Sequence, residues 1–283
     1  MKTSVVHCVI PVHNRMELTR KCVDLLWSQD YDAIKIIIVD DGSTDGTAEM
    51  LQSMACDNLT VLKGDGNLWW GGSMRIGMQY VIDNAAPEDY FLMLNDDVSF
   101  DKHYVKNMLE ESVSNKGAVI GSIQKDEITG DVLGCGYLIR FFELRFIAKA
   151  RCDELEVDAL PGRGVMFPVY ALNRVGVINS KSFPHYLSDL EYTSRLKEAG
   201  FEIFISQKAA IYTSSVSSDY ETSSKSFYTR YFSSMSKDNV LIKIKFFTLR
   251  GPKLLRATVV FRYPVFIILR GLNKILNRRF NRA

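Results

Sequence analysis

Two aspartate doublets close short apolar runs: Asp40-Asp41 directly follows 34–39, and Asp96-Asp97 follows 90–94 after Asn95. No other feature constrains the fold as tightly. Short runs rich in branched residues read as buried strands, and further runs occur at 5–10, 59–62 and 119–123. Amphipathic segments fall between them. Leu18, Cys22, Leu25 and Leu26 follow Asn14, while Met50, Leu51 and Met54 follow Ser43-Thr44-Asp45. Met74, Met78, Val81 and Ile82 follow Gly71-Gly72. Strand and helix alternating in this way predict an α/β chain with a doubly wound, mostly parallel sheet flanked by helices. Ligands of such sheets sit beyond the carboxyl ends of the strands. The polar clusters fall there: His13-Asn14-Arg15, Asp40-Asp41-Gly42-Ser43 and Asn95-Asp96-Asp97.

Adjacent carboxylates repel, by roughly 4 kcal/mol at about 4 Å and an effective dielectric near 20. A fold keeps them where a cation or several donors compensate. Asn95-Asp96-Asp97 offers the hard oxygen ligands that suit Mg²⁺ or Mn²⁺ bound together with phosphate oxygens. The same residues also make turns and helix caps. Neither G-x-x-x-x-G-K-[ST] nor G-x-G-x-x-G occurs at these positions, so a diphosphate here would be held through metal rather than in a glycine cradle.

Charge divides the chain. Residues 226–283 carry 13 Lys/Arg and one acid, Asp238, whereas the rest carries 22 Lys/Arg and 32 acids. The expected organisation is a catalytic domain over 1–212, a Ser/Thr-rich mobile loop over 213–226, and a basic amphipathic helical tail over 227–283. In that tail Val265, Ile268, Leu269, Leu272 and Leu276 form an apolar stripe, and Arg270, Lys274 and Arg278 recur on another face. This pattern suits an anionic membrane surface, or docking on the chain itself or on a second copy in a homodimer. Nucleic acid is not an expected partner. The five cysteines are odd in number and lack a C-x-x-C pair, which argues against a disulfide framework and for a reducing compartment. Residues 1–11 do not form a signal peptide, and no window is apolar enough to span a membrane. The expected location is cytoplasmic, peripheral at the inner face of the membrane.

Three segments, 9–15, 39–47 and 94–97, resemble in order the opening motifs of family 2 glycosyltransferases of the GT-A fold. Gly64-Asp65-Gly66-Asn67-Leu68-Trp69-Trp70-Gly71-Gly72, Pro161-Gly162-Arg163-Gly164 and Phe183–Tyr192 extend the likeness over about residues 4 to 210. The Trp-Trp-Gly-Gly and Pro-His-Tyr segments resemble the rhamnosyltransferase-like branch, which builds bacterial surface polysaccharides. The resemblance implies inverting, metal-dependent transfer of a sugar from a UDP- or dTDP-linked donor to a hydroxyl of a glycan or polyprenyl-diphosphate-linked saccharide. It implies that Pro11, Asn14 and Arg15 bind the nucleotide, and that Asp41 accepts the imide N–H of the base. Asp96 would approach the ribose, the donor sugar or the metal, Asp97 would ligate Mg²⁺ or Mn²⁺, and Asp189 would be the general base. Trp69, Trp70, Arg163, His185 and Glu191 are candidates for donor-sugar or acceptor contacts. Asp189 or Ser188 could also cap a helix, a role compatible with that of a base, and at most one of the adjacent tryptophans is expected to face the site. The family's usual Glu-Asp pair is here Ser188-Asp189, and no histidine follows His185. Two other classes remain open: a sugar nucleotidyltransferase, and an inactive nucleotide-sugar-binding subunit.

Overall fold

The computed structural model describes residues 3–149, 156–214, 231–233, 236 and 238–265. Parallel pairing begins with β1 (Val6–Val12), β2 (Ile34–Asp40), β3 (Leu59–Lys63) and β4 (Tyr90–Met93). Between them run α1 (Met16–Trp27), α2 (Thr47–Ser53) and α3 (Trp69–Asn84). After α4 (Tyr104–Ser114) the chain forms β5 (Val119–Asp126), β6 (Val132–Gly134), β7 (Gly136–Arg140) and β8 (Arg145–Lys149). Then follow β9 (Val165–Pro168), α5 (Val169–Val175), α6 (Ser188–Glu198) and β10 (Ile203–Thr213). In the tail follow α7 (Val240–Arg250) and α8 (Lys253–Arg256). The main sheet runs β10-β5-β9-β4-β1-β2-β3, with β6 beside β5, and β7 and β8 form a separate hairpin.

Parallel pairing brings the carboxyl ends of β1, β2, β3 and β4 to one edge, with Val12 opposite Asp40 and Asp40 opposite Lys63. Two strands break the parallel pattern: β6 lies antiparallel beside β5, and β9 lies antiparallel between β4 and β5. The register of β9 sets Val165 opposite Met93, so β9 begins at the edge where its neighbours end. That reversal delivers Gly162-Arg163-Gly164 to the acid clusters. The strand is four residues long and ends in Pro168, too short to leave a readable alternation.

Two apolar layers cover the sheet. Val6, Cys8, Ile10, Ile36 and Ile38 pack on one side with α1 and α4, while Val9, Ile37, Val39, Phe91 and Phe167 pack on the other with α3 and α5. The alternate residues of β1 and β2 thus face opposite layers, as the pleat requires. On the second side α3 lies close against β1, since a Cβ at Gly77 would sit 2.2 Å from Val9 Cγ1. Helix α3 begins at Trp69 and takes Gly71 and Gly72 into its first turns, rather than starting after them. At Gly71 there is no room for a side chain, because the Phe183 and Pro184 carbonyl oxygens lie 2.6 and 2.8 Å from its Cβ position.

A third cluster joins the tail to the body: Ile242, Phe246 and Phe247 of α7 pack with Ile139, Leu144, Phe183 and Leu190. This part of the basic tail therefore packs against the sheet-bearing body. Of the 213–226 loop only Thr213 and Ser214 are described, and of the apolar stripe only Val265, which is exposed. Among the described residues no helix is long and apolar enough to cross a membrane. Cys8, Cys22 and Cys56 are free thiols, but Cys135 is disulfide-bonded. The bonded Cys135 departs from the expectation drawn from the cysteine count, and Cys152 lies outside the described residues.

Candidate active site

The loops after β1 and β2 are tied to each other. Asn14, at φ +52°, accepts at Oδ1 from Thr44 N at 2.7 Å, and its own N–H donates to Ser43 Oγ at 2.8 Å. Met16 N donates to Asp45 Oδ2, and His13 Nδ1 lies 2.6 Å from the Asp41 carbonyl oxygen. Asn14 and Arg15 remain exposed, and Pro11 is partly exposed opposite Val39.

Asp41 is buried and organises the loop after β3. Its Oδ1 accepts from Gly66 N at 2.8 Å, and its Oδ2 accepts from Leu68 N at 2.9 Å and Trp69 N at 3.0 Å. The carboxylate thus satisfies amides at the start of α3, where a negative group is favoured. A carboxylate has about four acceptor positions, and three are in use. Gly64 permits this packing, because a Cβ there would meet Asp41 Oδ1 at 2.6 Å.

At the end of β4 the second doublet meets two arginines. Arg15 Nη1 lies 3.1 Å from Asp96 Oδ1 and 3.4 Å from Asp97 Oδ2, and Arg163 Nη2 lies 3.4 Å from the same Asp97 oxygen. Thr19 Oγ1 donates to Asp96 Oδ2 at 3.4 Å. The pair is kept together by counter-charge, as the repulsion argument requires. Asp96, 4% exposed, has its pKa pushed up to about 6 by burial, with Arg15 opposing the rise and Asp97 adding to it. Its folded pKa is above the unfolded value, so Asp96 favours folding below about pH 4. That contribution fades as the pH rises through about 6. The Asp96→Asn variant is therefore expected to gain melting temperature relative to wild type at pH 8 and to lose that advantage progressively as the pH falls toward 4. Parallel thermal melts across that range check it. The gap corresponds to at most about 3 kcal/mol.

Asp97 Oδ1 is buried and has no hydrogen-bond partner. A buried anionic acceptor without a partner is open to a water, an ion or a ligand group. Among the described residues, however, no three His, Cys, Asp or Glu side chains are grouped to hold a metal ion. A divalent ion would thus be held by Asp97 and completed by diphosphate oxygens and water, the habit of Mg²⁺.

Asp189 lies in the first turn of α6, which opens after Leu187 at φ +64° with no side-chain cap. Its Oδ2 accepts from Gly162 N and its Oδ1 from Leu190 N, both at 2.8 Å. It remains partly exposed, and desolvation holds its pKa above the ordinary carboxylate value despite those two bonds. Gly162 and Arg163 are consecutive, so one short segment touches both Asp189 and Asp97. Trp70 closes the gap between them. Its Nε1 donates to Asn95 Oδ1 at 2.9 Å, and its ring lies 2.6 Å from where a Gly162 Cβ would be. Trp69 is exposed and meets His185 edge-on at 6.1 Å, and His185 meets Tyr186 at 4.5 Å. These three rings form a partly exposed aromatic row.

Glu191 is placed elsewhere. It is buried, with Arg195 Nε at 3.0 Å and Arg250 Nη1 at 3.8 Å, inside an ion-pair cluster behind the helix. Conversely, Tyr137 of β7 comes within electrostatic reach of Asp189 and Arg163, and burial together with Asp189 raises the pKa of its phenol. The sequence marks Tyr137 only as part of a short strand; nothing local links it to Asp189.

The edge just described belongs to the GT-A fold. TarS 1–349 of S. aureus, in complex with UDP-GlcNAc, superposes with a TM-score of 0.60 at 16% identity over 90% of this chain and 69% of that one. The mannosyltransferase PcManGT of Pyrobaculum calidifontis, with GDP-Man and Mn²⁺, gives 0.57 at 15% identity over 74% of this chain and 56% of that one. Residues 7–176 match glycosyl transferase family 2, and the chain belongs to that family. Glycosyltransferase AglE of Haloferax volcanii is 42% identical over 64 residues, 21% of either protein. Glycosyltransferase GlyA of Streptococcus pneumoniae is 26% identical over 106 residues, 37% of this chain but only 14% of that protein.

Proposed function

We propose that the protein transfers a sugar, with inversion, from a UDP- or dTDP-linked donor to a hydroxyl of a glycan or a polyprenyl-diphosphate-linked saccharide, in surface-polysaccharide synthesis. The observation that supports this reading best is the Gly162-Arg163 segment, in which Gly162 N donates to Asp189 and Arg163 reaches Asp97. Asp189 takes the proton of the acceptor hydroxyl as its oxygen bonds to the anomeric carbon, and the bond from that carbon to the diphosphate oxygen breaks. A carboxylate held by two N–H donors needs no reorganisation to act, and its raised pKa suits it to hold a proton in transit. Arg15 and Arg163 lie where the leaving diphosphate gathers charge, and can exchange their carboxylate partners for phosphate oxygens. A bound Mg²⁺ or Mn²⁺ on Asp97 would neutralise that same charge. Trp70 would bound the donor sugar, while the Trp69, His185 and Tyr186 row would meet the acceptor. Asp41 has one acceptor position left for the base, and Pro11 and Asn14 would line its pocket.

Membrane attachment belongs to the same reading. Leu254 is 93% and Phe261 78% exposed, in a stretch that also carries Lys253, Arg256 and Arg262 and no acid. Apolar tips among cations fit an anionic bilayer surface that supplies the lipid-linked acceptor.

A thermal-shift panel of UDP-, dTDP-, GDP- and CDP-sugars, with and without Mn²⁺, tests the donor. Stabilisation is expected for a UDP- or dTDP-sugar and to grow with Mn²⁺. A panel with no shift, or one indifferent to metal, would count against the reading.

A further inference from the structure

The segment carrying Asp189 is held from behind by a helix of the basic tail. Leu190 and Phe183 share a buried cluster with Ile242, Phe246 and Phe247 of α7, and the Phe183 and Phe246 rings meet edge to face at 6.2 Å. Glu191, the second residue after Asp189, lies 3.8 Å from Arg250 Nη1, and Arg250 Nη2 pairs with Glu198 at the last turn of α6. Arg250 is the final residue of α7, and its side chain is only 13% exposed. One arginine therefore spans α6 from its opening to its end.

Stability alone does not account for this arrangement. Buried ion pairs contribute little net stability, since desolvation offsets their attraction. Arg250 Nε is also buried without a hydrogen-bond partner, a further cost. What the network does provide is geometry, because Leu190 and Glu191 are both held by α7 and Asp189 directly precedes them. Its carboxylate must meet Gly162 N at 2.8 Å on the other side. A small rotation of α6 would break that alignment.

We propose that Arg250 is a positioning residue for Asp189: by bridging Glu191 and Glu198 it fixes the axis of α6, and with it the carboxylate that faces the acceptor. The assignment rests on Asp189 being the general base. It also makes α7 part of the catalytic unit, although its residues lie in the basic tail.

The test uses the full chain, with turnover read as nucleoside diphosphate release from the donor chosen by the panel, and with UDP plus Mn²⁺ titrated as the binding probe. Arg250→Met is expected to lower kcat by about 10- to 100-fold, as a misplaced catalytic group does, with KM for the donor and UDP affinity unchanged. Arg250→Lys should recover part of the loss, and the acid limb of the pH profile should move in Arg250→Met. In the Asp189→Asn background Arg250→Met should cost nothing more. A folded Arg250→Met with wild-type kcat overturns the positioning role alone, as does a parallel fall in kcat and UDP affinity. Wild-type turnover in Asp189→Asn overturns the base assignment and this one with it. Should Arg250→Met not fold, Glu198→Gln decides, because it removes only the more exposed partner: a reduced kcat with UDP affinity intact supports the role, and an unchanged kcat overturns it.

Discussion

Asp189→Asn is expected to lower sugar transfer by about 10²- to 10⁴-fold, the range a positioned general base supplies, while leaving donor affinity at the wild-type value. The substitution keeps the shape of the side chain and removes its basicity. It also leaves one amide oxygen for two donors, Gly162 N and Leu190 N. Leu190 N lies in the first turn of α6, where backbone donors lack helical partners in any case. Gly162 is the bond to keep, and a loss of roughly 1–3 kcal/mol would mark its failure. Thermal melts of the variant therefore accompany the kinetics. The pH profile gives a second readout. Burial holds the Asp189 pKa above the ordinary carboxylate value, so this carboxylate ionises at higher pH than an exposed one. Wild-type turnover should fall as the pH drops through that pKa, and the variant should lack this acid limb. Undiminished transfer by Asp189→Asn would place the base elsewhere and return Asp189 to a turn-stabilising role.

What the sequence reveals about this site follows from how far each interaction reaches along the chain. The aspartate doublets are legible because strand and acid are contiguous, and parallel pairing then gathers the strand ends without further information. The role of Asp41 at the head of α3 is not legible, because its three donors lie on the far side of β3. Nor is the placement of Trp70: adjacent tryptophans look equivalent until α3 begins at Trp69 and turns one toward Asn95 and the other to solvent. Gly162 and Arg163 reach the site only because β9 runs against its neighbours, and a four-residue strand ending in proline does not announce its direction. Glu191 illustrates the opposite case. Its nearness to Asp189 in sequence suggests a place beside it, but in the fold it is buried against Arg195 of its own helix and the distant Arg250.

Asp97→Asn is expected to uncouple stability from function. In the wild type one carboxylate oxygen accepts from both Arg15 and Arg163, and the other is buried with no partner. An unpaired buried acceptor costs about 1–3 kcal/mol, and the neighbouring Asp96 charge adds repulsion. Asparagine keeps an acceptor for one arginine, relieves the repulsion and turns the remaining position into a neutral amide. The variant should therefore melt at or above the wild-type temperature. Its function should move the other way. Neutralising the charge of a departing diphosphate contributes several kcal/mol, so kcat/KM should fall by at least about 100-fold. The Mn²⁺-dependent part of the UDP-induced thermal shift should vanish with it. The two arginines remain in place, so whatever nucleotide binding survives in Asp97→Asn measures their share of diphosphate recognition. If the variant instead keeps its Mn²⁺ response, Asp97 is not the ion's anchor. Its orphaned oxygen would then be a defect tolerated by the fold, and the two arginines alone would have to hold the leaving group.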